Sequence, residues 1–351
     1  MKLLKGAIAL TFAAIITATS AFAATGFDEL YIGSASSVDN DSVYFDNLLD
    51  WNKLLFPKLY GLVSLDSEKK GNLAAAINLK NGGQLHAFWN GNLWEDDPEN
   101  TFSALYGLKN MAFRGKIVQK KQTFFAGTPQ EINFNAKGLG ADFGMNVNKK
   151  FGFTAGLSYF WAKSGGAKLS DFSINGGISY KLKEDTKMSS RVYAGWNGDF
   201  VGVDAGPVDV KFNTNTIYGT YKLQYKITKS FTYGFIGNLP ITFASGDNIS
   251  TSTTVGFNLY NGFVAKVKPT LDFAAGVQTT LPSLSRSDGS NSSGRFRNSF
   301  YTGLAIDVTP EVEMAVSANI HPTGDDSSGS NGESLKEIWE QSFAISFSIH
   351  L

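Results

Sequence analysis

The stretch Phe151–Trp161 reads Phe-Gly-Phe-Thr-Ala-Gly-Leu-Ser-Tyr-Phe-Trp, and it decides the fold. Its odd positions carry large apolar side chains or alanine, while Gly, Thr and Ser occupy most even positions. A strict period of two predicts a β-strand with one apolar face. Similar runs follow at Phe172–Leu182, Ile217–Ile227 and Val255–Val267. These runs exceed the modal strand of about 5–6 residues and match the roughly 9–11 residues of a tilted strand that crosses a membrane.

Short polar turns separate the runs at regular distances. An apolar residue stands on each side of Asn148–Lys150, Thr228–Ser230, Lys268–Thr270 and Thr309–Glu311. Together with a slightly longer turn near 183–187, they recur roughly every 40 residues, which fits two strands, one short turn and one longer loop.

The connections between these short turns are predicted to be longer polar loops. They cover Asn90–Ser103, Gln119–Asn133, Pro282–Asn298 and His321–Lys336. Short turns at one end and longer loops at the other are typical of outer-membrane β-barrels, in which the short turns face the periplasm. The sequence therefore predicts an all-β protein, a transmembrane antiparallel β-barrel.

The number of strands follows from the turns. Two more short turns are predicted near 66–71 and 109–111, which gives fifteen strands from Leu59 onward. Antiparallel closure then requires a sixteenth strand, and Glu29–Ala35 is the candidate. The alternative is a wall of fourteen strands that begins at Leu73, with residues 24–70 folded inside as a plug.

The amino terminus has the pattern of a secretory signal peptide over residues 1–23. Lys2 and Lys5 precede an apolar stretch, Gly6–Ile16, and Ala21-Phe22-Ala23 supplies small residues at the cleavage position. Export is therefore expected, with the barrel assigned to residues 58–351.

Residues 24–57 are expected to form an N-terminal strand and loop, or a hatch within the lumen. Leu48, Leu49, Trp51, Leu54 and Leu55 share one helical face within Asp46–Phe56, and Pro57 ends the pattern. An outer loop is favoured over a hatch for this short helix.

Composition excludes several functional classes. The chain has no cysteine, so it has neither disulfides nor thiolate sites. Removing Lys2 and Lys5 takes two of the 31 basic residues and none of the 31 acidic ones, and this near balance argues against nucleic acid as a partner. The three histidines, His86, His321 and His350, lack metal-ligand spacing, and no nucleophile elbow or Walker loop is present. We therefore expect no enzyme activity, no metal site and no cofactor.

The carboxyl end carries the sharpest local pattern. Five apolar residues alternate with Ala, Ser and His; they are Phe343, Ile345, Phe347, Ile349 and Leu351. This end resembles the terminal strand of bacterial outer-membrane β-barrel proteins, with Leu351 in the place of the family's usual Phe. The resemblance covers about residues 58–351, identifies the porin-like superfamily and no single member, and implies recognition of this strand by the barrel-insertion machinery.

The composition of the second face decides between a soluble and a membrane barrel. Lys222 and Gln224 share that face with small residues, which leave too little bulk to fill a dry core, and unsatisfied polar groups there would cost several kcal/mol each. We therefore expect an aqueous lumen with lipid outside. The predicted lumen-lining residues are Asn175, Lys222, Gln224, Asn258, Gln278 and Asn319. The predicted periplasmic rim consists of Lys181, Lys226, Asp272, Asp307 and Glu313.

The leading functional hypothesis is an outer-membrane channel for passive or facilitated diffusion of small hydrophilic solutes. The alternatives are a surface-exposed structural or adhesive barrel, and a transporter of hydrophobic substrates with an N-terminal hatch. The expected partners are outer-membrane lipid, the barrel-insertion machinery and small solutes, with a homo-oligomer as a further option.

Overall fold

The computed structural model describes residues 59–66, 70–92, 100–124, 132–164, 166–204, 209–247, 249–287, 290–293, 297–309, 312–323 and 338–350. Within these ranges the chain consists of β-strands and the turns between them. The predicted signal peptide, the predicted strand Glu29–Ala35, the predicted helix Asp46–Phe56 and Leu351 lie outside the described residues.

All strands belong to one antiparallel sheet of seventeen segments. In chain order they are β1 (Leu59–Asp66), β2 (Lys70–Asn78), β3 (Gln84–Asn92), β4 (Asn100–Leu108), β5 (Met111–Phe124), β6 (Ile132–Asn146), β7 (Phe151–Ser164), β8 (Ala167–Glu184), β9 (Met188–Asp204), β10 (Asp209–Thr228), β11 (Phe231–Gly246), β12 (Ile249–Lys268), β13 (Leu271–Ser287), β14 (Ser290–Ser293), β15 (Arg297–Thr309), β16 (Val312–Thr323) and β17 (Ile338–His350).

The pairings form a ring. Apart from β14 and β15, consecutive strands pair as antiparallel neighbours, and β1 pairs with both β2 and β17. Leu62 of β1, for example, lies opposite Ser348 of β17 and Ala74 of β2. Both β14 and β15 pair with β13. The all-β antiparallel fold that the alternating runs predict is thereby confirmed.

One predicted turn lies at the wrong end of the barrel. The connection at 67–69 joins β1 and β2, and the next reversal, Leu79–Gly83, was missed by the sequence analysis although it contains the hairpin dipeptide Asn81-Gly82. Gly82 has φ +78°, and Asn81 Oδ1 accepts a hydrogen bond from Gly83 N at 3.0 Å. Because three strands instead of two lie between residues 70 and 108, β1 is already antiparallel to β17, and closure needs no strand at Glu29–Ala35.

The predicted long loops are partly strand. β5 continues to Phe124 and β6 begins at Ile132, so Gln119–Asn133 contributes residues to both. In the same way β13 and β14 extend into the predicted loop Pro282–Asn298. These strands extend beyond the part whose outer face is apolar. Their polar ends were therefore predicted as loops.

Side-chain caps hold the short turns. Lys187 N and Met188 N each donate to Asp185 Oδ1 at 2.8 Å. These two backbone hydrogen bonds lower the pKa of Asp185 below its ordinary value of 3.8. Asn148 Oδ1 accepts from Lys150 N and Phe151 N in the same way. The turn before β9 is therefore held by a charged acceptor, the Asp185 carboxylate, and the turn before β7 by a neutral acceptor, the Asn148 amide oxygen.

Candidate functional site: the interior face

The two faces of the ring differ sharply in chemistry. Large apolar side chains on one face are exposed, among them Phe113, Leu157, Ile174, Ile217 and Val316. Alternate residues on the other face are buried and often polar or charged, among them Arg114, Asp142, Ser158, Thr220 and Gln278. In a ring the buried face lies inside, so the barrel presents apolar side chains to its surroundings and encloses polar ones. This is the arrangement of a transmembrane barrel.

Three charged residues meet inside the ring on β5 and β6. Arg114 and Asp142 lie directly opposite each other, with Arg114 Nε 3.0 Å from Asp142 Oδ2. Lys116 Nζ lies 3.4 Å from the same oxygen. The Asp142 side chain is only 2% exposed. A carboxylate this deeply buried depends on its partners, because an unpaired buried charge costs several kcal/mol.

Two glycines make room for this cluster. A Cβ at Gly140 would collide with Lys116 Cε, and a Cβ at Gly156 would collide with Asp142 Oδ1 and with the Asn175 amide. Lys116 therefore lies over β6 and Asp142 lies over β7. The glycines allow long polar side chains to lie flat along the inner wall.

The cluster begins a polar row that follows the register of the sheet. From Arg114 and Asp142 the direct cross-strand partners are Gly156, Asn175, Asn197, Thr216 and Thr242. Hydrogen bonds tie the row together: the Thr216 and Thr242 hydroxyls are 3.0 Å apart, and Asn197 Nδ2 donates to Asp199 Oδ2 at 3.1 Å. The inner wall from β5 to β11 thus carries a band of hydrogen-bonding groups.

A second row is basic and lies nearer the edge of the short turns. Lys181 of β8 pairs directly with Arg191 of β9, and Arg191 pairs with Lys222 of β10. Arg191 is 6% exposed, its Nη1 donates to Tyr193 Oη at 3.1 Å, and its guanidinium carbon lies 5.6 Å from the centre of that ring. Lys181 Nζ donates to Glu184 Oε2 at 2.9 Å. We call these three residues, Lys181, Arg191 and Lys222, the basic row.

At the opposite edge of the same strands the inner wall is apolar. A buried cluster contains Ala136, Ala162, Ala167, Leu169, Val201 and Val203, with Phe212 packed against it. These side chains alternate with exposed residues such as Trp161 and Lys168, so they belong to the interior face. We call this set the interior apolar cluster.

The predicted lumen-lining residues lie at the following places. Asn175, Lys222, Gln224 and Asn258 are half-buried and Gln278 is buried, and all five have the parity of the interior face. Asn175 belongs to the polar row and Lys222 to the basic row, and Gln278 lies opposite Tyr260. Asn319 lies opposite Tyr301 and Ser342. Their role in a pore stays a prediction.

The predicted rim residues lie within a few residues of the short turns. Lys181 and Lys226 lie near the ends of β8 and β10, and Asp272 is the second residue of β13. Asp307 lies opposite Glu313, the second residue of β16. Four residues of the predicted insertion strand, Phe343 to Ile349, lie in β17.

Arg114, Lys116 and Asp142 were not predicted from the sequence as wall residues. The signal was present, since Phe113 and Ile117 alternate with Arg114 and Lys116 in strict period two. The expectation of a loop at Gln119–Asn133 obscured the two strands that carry them, β5 for Arg114 and Lys116 and β6 for Asp142. Arg191 was missed because Ser189 and Ser190 interrupt the apolar alternation.

Among the described residues, no group of three or more His, Asp or Glu side chains is arranged to hold a metal ion. The same residues include no helix long and apolar enough to cross a membrane.

Comparison with known proteins gives structural likeness only. No protein-family model and no curated protein matches the chain. Similar solved structures include CdiB from Acinetobacter baumannii, at 12% identity and TM-score 0.49, over 83% of this chain and 60% of that one. A bacterial polysaccharide outer membrane secretin matches at 8% identity and TM-score 0.46, over 84% of this chain and 97% of that one. The P. putida toluene transporter TodX matches at 10% identity and TM-score 0.43, over 93% and 98%. At these identities and TM-scores the similarity carries no argument about function.

Proposed function

We propose that this chain is an outer-membrane β-barrel that lets small hydrophilic solutes diffuse through its interior. The observation that carries the proposal is the polar row, which places charged and hydrogen-bonding groups inside a ring whose outer face is apolar. Lipid tails contact the apolar outer face, and water and solutes form hydrogen bonds with the polar inner face. The edge with the turns at 109–110, 229–230 and 269–270 is then the periplasmic end, since short turns face the periplasm in such barrels.

We infer sixteen wall strands. Because β14 and β15 both pair with β13, they form two parts of one strand, so seventeen segments occupy sixteen positions around the ring. Barrels of 16–18 strands leave an aqueous channel. The lumen-lining and rim residues named above are assigned to this channel, lipid and the insertion machinery remain the expected partners, and the chain is assigned no enzyme activity.

The test is conductance of the refolded mature chain in planar lipid bilayers. Stepwise insertion of ion-conducting units is the expected result. A chain that folds, as judged by heat-modifiable migration in detergent gels, and yet never conducts in repeated trials would contradict the channel.

A second candidate function, transport of hydrophobic substrates, is favoured by the interior apolar cluster. Apolar side chains on the inner wall at the outer end offer a first binding place for an apolar molecule. Deletion of residues 24–57 discriminates between the two functions. The deletion is expected to increase conductance if those residues form a hatch, and to leave conductance unchanged or abolish folding if they do not.

A further inference from the structure

We propose that the basic row is a binding site for small oxyanions, and that it makes the channel prefer anions over cations. This deepens the proposed function by naming the class of solute, and it rests on that function for the transport step alone. Binding of the anion itself does not require that the barrel conducts.

The placement of the basic row is the first support. Lys181, Arg191 and Lys222 occupy three adjacent strands at one register level of the interior face. Directly opposite residues have Cβ atoms about 4.5–5.5 Å apart, and like charges in such positions are destabilising. An anion bound among these three cations would offset their mutual repulsion and so stabilise this part of the sheet.

The surroundings of the basic row add hydrogen-bond donors. Next to it on the interior face lie Ser179, Tyr193 and Thr220, all buried, which form the adjacent register level. Thr220 Oγ1 donates to Asn238 Oδ1 at 2.9 Å, so the donor that Asn238 adds is its amide nitrogen. Hydroxyl and amide donors beside fixed cations are the groups that coordinate carboxylate and phosphate oxygens.

Arg191 is held in place. Its Nη1 bond to Tyr193 Oη and its contact with the Tyr193 ring orient the guanidinium along the wall. Tyr218 packs with Tyr193 and lies over Gly195, where a Cβ would collide with the Tyr218 ring. An oriented guanidinium binds an oxyanion with two parallel hydrogen bonds, which a mobile lysine does not provide.

Along β5 to β9, Asp142 and Asp199 lie at another level of the inner wall, whereas Asp272, Asp307 and Glu313 lie near the short turns on β13, β15 and β16, away from the basic row. Asp142 belongs to the polar row and Asp199 adjoins it. On β9 the polar row, at Asn197, is six residues from the basic row, at Arg191, and six residues of a strand span about 20 Å. Asp142 is paired with Arg114 and Lys116. In the short-turn halves of β8, β9 and β10 and the turn between β8 and β9, six basic residues stand against two acidic ones, Glu184, which pairs with Lys181, and Asp185. The periplasmic half of this wall is therefore electropositive.

The first experiment measures the reversal potential of the refolded mature chain in a KCl gradient. The wild-type chain is expected to be anion-selective, and Lys222→Gln is expected to reduce the chloride-to-potassium permeability ratio by about twofold, since one unit charge about 10 Å from the ion path in water changes ion energies by less than RT. Lys137→Gln is the matched control. Lys137 is exposed on the outer face, so the same charge change there is expected to leave the ratio unaltered. A cation-selective wild type, or equal effects of K222Q and K137Q, would overturn the inference while the channel stands.

The second experiment measures binding without conductance. Broadening of the phosphorus-31 resonance of inorganic phosphate is recorded with the detergent-folded chain, and succinate is added as a competitor to separate phosphate from carboxylate recognition. Broadening is expected for the wild type and K137Q, with a loss for K222Q and Arg191→Gln and partial recovery for Arg191→Lys. Equal broadening for all variants refutes the site. Broadening that depends on Lys222 in a chain that never conducts would keep the site and reject the channel.

Discussion

Arg114 of β5 and Asp142 of β6 lie directly opposite each other on the inner wall, with Arg114 Nε 3.0 Å from an Asp142 oxygen whose side chain is 2% exposed. Their pairing stabilises a carboxylate that water barely reaches. Lys116 is the second partner, at 3.4 Å.

Arg114→Met is expected to lower the free energy of unfolding by about 3 kcal/mol, because it leaves Asp142 buried with one cation instead of two. The triple variant Arg114→Met, Lys116→Met and Asp142→Leu is expected to recover most of that loss, since it removes all three charges of the cluster. Urea unfolding of the barrel in lipid vesicles, followed by tryptophan fluorescence, measures both. A triple variant less stable than R114M would show that the buried charge of Asp142 is not the source of the loss.

Gly156→Ala is expected to destabilise the barrel by about 1–3 kcal/mol, because the new methyl group would displace Asp142 and Asn175 from the wall. Gly115→Ala is the matched control on the outer face of β5, where a Cβ has no atom within 4 Å. The same unfolding assay compares the two. If G115A were as harmful as G156A, the close approach of Asp142 and Asn175 would not explain the glycine.

Ile174 and Asn175 are neighbours on β8 with opposite orientations, Ile174 exposed on the outer face and Asn175 in the polar row. Ile174→Lys is expected to cost about 2–4 kcal/mol in a bilayer, since Ile174 is near the middle of β8, where the outer face is expected to meet the centre of the bilayer. Asn175→Lys, which adds the same charge inside the ring, is expected to cost far less. The measurement is again unfolding from vesicles, and similar losses for both would reject the assignment of the two faces.

Asp185→Asn is expected to lower stability at pH 7, and the difference is expected to shrink in acid. The pKa of Asp185 is lowered in the folded chain by the backbone N–H groups of Lys187 and Met188. Its stabilising effect is therefore present above the ordinary value of 3.8 and is lost as pH falls through the lower folded value. Urea midpoints at pH 7 and pH 3 test this. A difference that is unchanged or larger at pH 3 would show that the carboxylate charge does not hold the turn.

The sequence predicted the strands best where one face meets lipid. Phe151–Trp161 and Phe172–Leu182 alternate because every outward residue must be apolar, and both lie within strands of the observed sheet, β7 and β8. The inner wall imposes a weaker constraint. It accepts Gly156, Asn175 and Asn197 at successive positions across the sheet, and no periodic pattern distinguishes a polar or charged wall residue from a loop residue.

The missed reversal at Leu79–Gly83 has a different cause. The expected rhythm of about 40 residues per strand pair and short turn fits strands of 14–20 residues, whereas β2, β3 and β4 have nine each. Three short strands fill the length expected of two long ones. Only the Asn81-Gly82 dipeptide, a local turn signal, reveals the extra reversal.

Strand length also shapes the mouth of the barrel. β1–β4 have eight or nine residues, whereas β10 and β12 have twenty. At about 3.3 Å per residue the longer strands reach well past an apolar band about 25 Å tall. Because the short turns align at one end, the surplus height rises at the other. At that end the wall formed by the described strands is therefore low along β1–β4 and high along β10–β12, and we expect a large molecule to approach the inner face more easily from the low side.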